Sequence, residues 1–163
     1  MFELVIPTGE GEFTAGYTAK GLAEMSFPKS SSRMRERAPI PPELRRQITD
    51  WHRLTTKALK MILTGRKPTA LPPLDITGTK FQREVWRGML EIPWGKTSSY
   101  GELARRIGRP KAVRALGGAC GSNSIPVFIP CHRVLAAHGK LGGFTSGLRW
   151  KRKLLGAEGA WDS

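Results

Sequence analysis

The chain is short of several residue types, and each shortage narrows what it can be. It has two cysteines, three histidines and two tyrosines in 163 residues. Two cysteines, Cys120 and Cys131, cannot staple a disulfide scaffold. Without a secretory signal they are expected as reduced thiols. Residues 1–73 contain no cysteine and a single histidine, His52, so no closed four-ligand metal site can be built there. His52 lies one residue off an apolar stripe and reads as a surface histidine. No apolar run reaches the length of a membrane span. The opening residues, Met1 to Pro7, carry no basic n-region. The expectation is an intracellular protein, cytoplasmic or, in a eukaryote, nuclear, with no membrane partner. There are no internal repeats.

Acidic residues are scarce as well. Thirteen Asp+Glu stand against 27 Lys+Arg, for a formal net charge of +14. An excess of this size points to a polyanionic partner. The charge is uneven: residues 1–78 hold 12 basic against 8 acidic (+4), and residues 79–163 hold 15 against 5 (+10). A basic half with ordinary hydrophobicity suggests nucleic acid; a solubility role or a membrane-surface patch fits the same numbers.

The length suits one medium domain or two small ones. Lys67-Pro-Thr-Ala-Leu-Pro-Pro73 is a proline-rich linker and divides the chain into 1–73 and 74–163. Before it, Phe2, Leu4 and Ile6 alternate with other residues, and two further short apolar segments end near Thr18 and Phe27 after glycine turns, which reads as strands. Residues 30–37 read as a mobile polar loop. Leu44, Ile48, Trp51, Leu54, Ala58, Leu59 and Ile62 follow at helical spacing, with Pro41 and Pro42 at the start and Gly65 at the end.

After the linker the pattern is mostly helical. Thr79 can cap a helix bearing Phe81, Val85, Trp86, Met89 and Leu90. Ser99 and Glu102 form an S-x-x-E capping box for a helix to Ile107, ended by Gly108. Pro110 opens the next helix, through Ala119. Two short helices joined by a glycine-containing turn read as a helix-turn-helix. The first carries Arg105 and Arg106; the second begins with Lys111, Ala112 and Arg114. A plain helical hairpin with solvated arginines has the same spacing. The predicted fold class is therefore α/β, in an α+β layout. A small N-terminal β-sheet plus helix precedes a mostly helical C-terminal domain with a winged-helix-like helix-turn-helix.

The stretch from Asn123 through Pro130, Cys131, His132 and Arg133 places a cysteine between a proline-terminated hydrophobic run and two groups able to carry positive charge. The thiolate is the nucleophilic form of cysteine, and such neighbours lower a thiol's pKa. A buried cysteine is equally a small core hydrophobe. Along a straight strand Cys131 and His132 would point to opposite faces, so a dyad needs a turn, and Pro130 is a reasonable end to the preceding strand.

Five blocks carry a resemblance: residues 92–100, 110–119, 123–134 and 143–145, and the segment from Leu154 through Glu158. In this order they resemble the O6-alkylguanine-DNA alkyltransferases, the self-inactivating methyltransferases that repair alkylated guanine. The resemblance is close over residues 79–160 and loose over the whole chain. It implies that Cys131 accepts the alkyl group, that His132 draws the thiol proton through a water, and that Glu158 orients His132. It implies that Asn123 ties the helix-turn-helix to the active-site turn. It makes Tyr100 the hydroxyl that serves the guanine ring as alkyl leaves, with a DNA contact besides. Arg114 takes the finger role, filling the stack where a nucleotide has flipped out, and Lys111, Ala112, Arg105 and Arg106 join it on DNA. Val134, Gly143, Phe144 and Thr145 form the pocket wall. Some members of the family hold zinc in the N-terminal part; here the ligands are missing, and neither a metal nor an organic cofactor is expected. Cys120 is expected as packing.

The implied function is repair by direct reversal: one irreversible transfer from O6-alkylguanine in double-stranded DNA to Cys131, with O4-alkylthymine as a candidate second substrate. The expected state is a monomer able to bind DNA cooperatively. Two other readings stay open. A non-repairing module that flags alkylated bases would lack the cysteine. A cysteine hydrolase would turn over, whereas a thioether is not hydrolysed.

Overall fold

The structure, a computed structural model, describes residues 1–29 and 37–161; of the polar loop read at 30–37, only Arg37 lies within the described residues. Three strands, β1 (Phe2–Thr8), β2 (Gly11–Thr18) and β3 (Gly21–Ser26), form an antiparallel meander in sequence order. The predicted alternation is realised: Ile6, Phe13, Ala15, Tyr17, Leu22 and Met25 point into the core. A long helix, α1 (Pro42–Leu63), packs on all three strands through Ile48, Thr55, Ala58, Leu59 and Ile62. Proline sits in its first turn, where the missing N–H costs nothing.

His52 is not a surface residue. It is half-buried between α1 and the sheet, where Tyr17 donates its hydroxyl proton to Nδ1 (2.9 Å) and Nε2 donates to the Val5 carbonyl (3.3 Å). Its place beside the apolar stripe turns it toward the sheet rather than toward water. Leu90, placed on the apolar stripe of the next helix, is instead 40 % exposed at that helix's last position.

The linker residues are held against β3. Leu22 donates its N–H to the Pro73 carbonyl (2.8 Å), and Asp75 returns one to Leu22 (2.8 Å). Gly21 makes this approach possible: a Cβ there would lie 2.3 Å from the Pro73 oxygen. Helix α2 (Lys80–Leu90) follows, with its Thr79–Gln82 capping box formed. Strand β4 (Ser98–Ser99) leads into α3 (Tyr100–Arg106), where the Ser99–Glu102 box is formed as well (3.0 and 3.3 Å). The next helix, α4, spans Val113–Gly121. It begins after Pro110, because residues 109–112 form a turn closed by Ala112 N–H to Arg109 O (2.9 Å). Lys111 therefore precedes the helix, and Ala112 is its N-cap. The pair α3–turn–α4 has helix-turn-helix connectivity. It packs on α2, where Gly88 lets Leu103 and Ile107 come close enough that a Cβ would clash at 2.8–2.9 Å.

A short strand, β5 (Val134–Leu135), pairs in parallel with β4, and α5 (Leu148–Ala157) closes the chain. The sheet docks on α5 through aromatic rings: Phe13 and Phe27 lie 5.4 and 5.0 Å from Trp150, and Phe27 lies 5.9 Å from Phe144. One hydrophobic cluster runs through the sheet, α1, α2 and the helices that follow. No helix among the described residues is long and apolar enough to cross a membrane.

Candidate active site

Residues 125–130 do not form a strand. Ile129 donates back to the Ile125 carbonyl (2.9 Å) and Cys131 to that of Ile129 (2.8 Å), so the hydrophobic run is a buried tight turn. Val127 sits at φ 77°, a left-handed conformation that a β-branched residue adopts only when its surroundings enforce it. The brace is Asn123, one residue past the α4 C-cap. Its amide donates to the Ile129 carbonyl (2.9 Å), and its Oδ1 accepts from Ile125 N–H (3.0 Å). The helix-turn-helix and the cysteine turn are thereby joined by one side chain. Cys131–Arg133 then forms a single 3-10 turn, which supplies the bend that neighbouring Cys131 and His132 require.

His132 and Glu158 come together from 26 residues apart. His132 is fully buried, and its Nε2–H donates to Glu158 Oε1 at 2.8 Å. Nδ1 is then the unprotonated nitrogen; it is buried and has no hydrogen-bond partner among the described residues. Arg133 grips the same carboxylate with two bonds, Nε to Oε2 and Nη2 to Oε1, both 2.8 Å. Its third contact is Nη1 to the Ile92 carbonyl (2.7 Å), and Trp94 lies 5.7 Å from its guanidinium. Burial alone would raise the Glu158 pKa, but the bonds and charge from His132 and Arg133 outweigh it and hold the group at about 2. Burial lowers the His132 pKa despite Glu158, so the imidazole is neutral at pH 7.

The thiol does not follow the expectation from its neighbours. Burial raises the Cys131 pKa and exceeds the lowering by Asn123 and by Lys151. The positive charge of Arg133 is spent on Glu158, and His132 is neutral. Cys131 is therefore a thiol at rest. Cys120 is pushed up to about 12 by burial and by the neighbouring Cys131. Both cysteines are free.

Cys131 opens onto a cavity of about 760 Å³. Tyr100, Asn123, Gly143, Phe144 and Thr145 line it, as do Cys120 and residues 24–29 at the end of β3. Thr145 donates its hydroxyl to the Gly121 carbonyl (3.0 Å), and the N-cap of α5 is Gly147. Burial raises the Tyr100 pKa, which keeps the phenol a donor. Val134 stands apart: it is fully buried, does not line the cavity, and its carbonyl accepts from Lys151. Arg105, Arg106, Lys111 and Arg114 are exposed on the helix-turn-helix, with Arg114 in the first turn of α4. Gly117 and Gly118 on α4 have open space where a Cβ would be, so a ligand can approach that backbone closely.

Comparison with known proteins bears on this geometry. Residues 80–160 match the family described as 6-O-methylguanine DNA methyltransferase, DNA binding domain. The chain is 41 % identical over 139 residues to a methylated-DNA–protein-cysteine methyltransferase of Methanosarcina mazei, covering 85 % of each. Against the protein of that name from Methanosarcina acetivorans, identity is 34 % over 98 % of this chain and 99 % of the other. The chain belongs to this family. Its fold is similar to the crystal structure of Mycobacterium tuberculosis OGT in complex with DNA, with a TM-score of 0.81 and 34 % identity over 98 % of this chain and 93 % of that one.

Measured against the methyltransferase family's chemistry, two residues escaped the sequence reading. Arg133 reads in the sequence only as a positive charge beside the thiol; its bidentate grip on Glu158 needs the fold. Lys151 is the larger omission. It is fully buried, and its Nζ donates to the carbonyls of Val134 (2.7 Å) and Gly143 (3.0 Å). It sits in the basic run Arg149-Trp-Lys-Arg-Lys153. The signal lay in spacing: Lys151 shares the buried arc of α5 with Trp150, Leu154 and Leu155. Burial lowers its pKa, while Cys131 and Cys120 raise it. Its charge therefore favours the Cys131 thiolate. Lys151→Met is expected to shift the pH–rate profile of Cys131 alkylation by free O6-methylguanine to higher pH and to slow it about tenfold near pH 7, the size of one pKa unit. An unchanged profile would show that Lys151 only pins the Val134 and Gly143 backbone.

Proposed function

We propose that this protein repairs DNA by direct reversal, moving an alkyl group from O6-alkylguanine to Cys131 once and irreversibly, with O4-alkylthymine as a candidate second substrate. The observation that carries the reading is a buried thiol that lines the cavity, followed in the chain by a neutral imidazole whose Nε2 is committed to Glu158 and whose Nδ1 has no partner among the described residues. Nucleophile, base and orienter are the arrangement such a transfer needs.

A base stacked in a duplex cannot reach this cavity, so the nucleotide must leave the stack. In this reading the exposed cations of α3 and the turn, with the N-terminus of α4, hold the backbone, and Arg114 fills the gap. The flipped base enters beside Tyr100, against Gly143, Phe144 and Thr145. His132 Nδ1 takes the Cys131 proton through a water. The sulfur attacks the alkyl carbon, a C–S bond forms, and the C–O6 bond breaks with its electron pair leaving on guanine. Tyr100 donates a hydrogen bond to the ring nitrogen of that anion. Lys151 offsets the charge on sulfur until it is a neutral thioether. Glu158, held ionised by Arg133, stabilises the imidazolium. No step needs a metal or organic cofactor, and the protein does not regenerate.

Residues 1–73 act as a brace for residues 74–163 in this account, and β3 supplies part of the cavity wall. The reading places the protein where DNA is, in the cytoplasm or in a nucleus. Intact-protein and peptide mass spectrometry after incubation with an O6-methylguanine duplex provides the test. One methyl per chain, on Cys131, is expected, and none with Cys131→Ser. Repeated turnover, or modification of Cys120, would overturn it.

A further inference from the structure

The exposed cations of the helix-turn-helix are not the chain's only cationic surface. On α1, Arg46, Arg53, Lys57 and Lys60 are exposed and lie at spacings of seven, four and three residues. At about 100° per residue these positions fall on one line, on the side of the helix opposite Ile48, Thr55, Leu59 and Ile62. Arg53, Lys57, Lys60 and Arg66 border an open groove of about 590 Å³ with Thr56, Met61 and Thr69. The nearest carboxylate is Asp50, 3.7 Å from Arg53 in a pair that is 77 % and 58 % exposed, which screens little of the stripe.

The stripe lies outside the helix-turn-helix, on a helix that packs mainly on the sheet and α5. The main packing runs from α1 to α5, from α5 to the Cys131 turn, from that turn to α2, and from α2 to the α3–α4 pair. The inner face of α1 lies on the sheet and α5, so its outer face is turned away from them.

We propose that the outer face of α1 is a second DNA contact, which seats the phosphate backbone of a duplex segment other than the one held by α4. The stripe is complementary to a duplex in the sign of its charge and long enough to follow several phosphates. From Arg46 to Lys60 the helix rises about 21 Å, and duplex DNA carries one negative charge per about 1.7 Å of axis. The contact is to phosphate and carries no sequence preference, since the groove offers cations and hydroxyls. Met61 is its one apolar residue and is partly buried, so the face has nothing to insert into a lipid layer. Two DNA surfaces on one small protein would let it pass between strands without full release while it searches for damage.

The test uses the full-length protein, an undamaged duplex fixed to beads and a second, fluorescent duplex in solution. Wild type is expected to retain the fluorescent duplex in a salt-sensitive way. The triple variant R53Q/K57Q/K60Q is expected to lose retention at least tenfold, while its affinity for a single short duplex and its methylation by free O6-methylguanine stay unchanged. The free-base reaction shows that the variant is folded. Its absence in both proteins would count against the repair reading alone and leave the bridging result readable. Failure of wild type to bridge would overturn the proposal. So would undiminished bridging by the variant, which would mean that protein pairs do the bridging. Preferential α1-dependent binding to anionic phosphatidylglycerol vesicles over DNA would overturn it as well.

Discussion

Arg114→Ala is expected to slow alkyl transfer from duplex DNA about 100-fold and to leave transfer from free O6-methylguanine unchanged. Extruding a nucleotide costs a few kcal/mol, and each ~1.4 kcal/mol is a factor of ten. Arg114 is exposed in the first turn of α4, with Gly117 and Gly118 behind it leaving room for the DNA backbone. It lies outside the cavity lining, so a pure pocket effect is not anticipated. The lysine variant separates two roles. If Arg114 only grips phosphate, Arg114→Lys should be nearly harmless; if its planar, weakly hydrated guanidinium fills the stack, lysine should be a poor substitute. The second result is expected. A weakly pairing base opposite the lesion should partly rescue Arg114→Ala, because less unstacking work remains. Equal slowing on duplex and free base would show instead that Arg114 serves the fold or the pocket.

Glu158→Ala should be the most destabilising single change at the site, by about 3–5 kcal/mol, the usual effect of breaking a buried ion pair from one side. It leaves the Arg133 guanidinium and His132 Nε2 without their shared acceptor. The same carboxylate makes stability depend on pH. Its folded pKa of about 2 lies below the ordinary carboxylate value, so its contribution is fully present above pH ~4.5 and is lost as pH falls toward 2. About 2.5 pKa units correspond to roughly 3 kcal/mol. His132 acts in the same direction: its pKa is lowered by burial, so protonation below pH ~6.5 also opposes the fold. Urea midpoints measured from pH 7 down to pH 2 should fall steeply for wild type. Glu158→Gln should lose the carboxylate part and keep the His132 part, so its midpoint should fall less steeply than that of wild type. An Ala variant within ~1 kcal/mol of wild type would show that the carboxylate contributes little to the fold.

Much of this protein is legible in its residues one neighbourhood at a time. The β1–β3 alternation, the α1 stripe, the Thr79 cap and the Ser99–Glu102 capping box all formed as their spacing predicts, because each depends on contacts within a few residues. The motif residues Cys131, His132, Asn123 and Tyr100, with Gly143, Phe144 and Thr145, are brought to one place. The tertiary structure alone decided how they are charged and held. The run before Cys131 is a turn, not a strand, because Asn123 binds across it. His52 faces the sheet because Tyr17 and Val5 receive it. Cys131 is a resting thiol because burial exceeds the help from Lys151, and Arg133 is neutralised by a carboxylate 25 residues away. Local pattern sets which residues are apolar and which helices can start. Desolvation and ion pairing depend on what packs around a group from distant parts of the chain, and no local spacing encodes that.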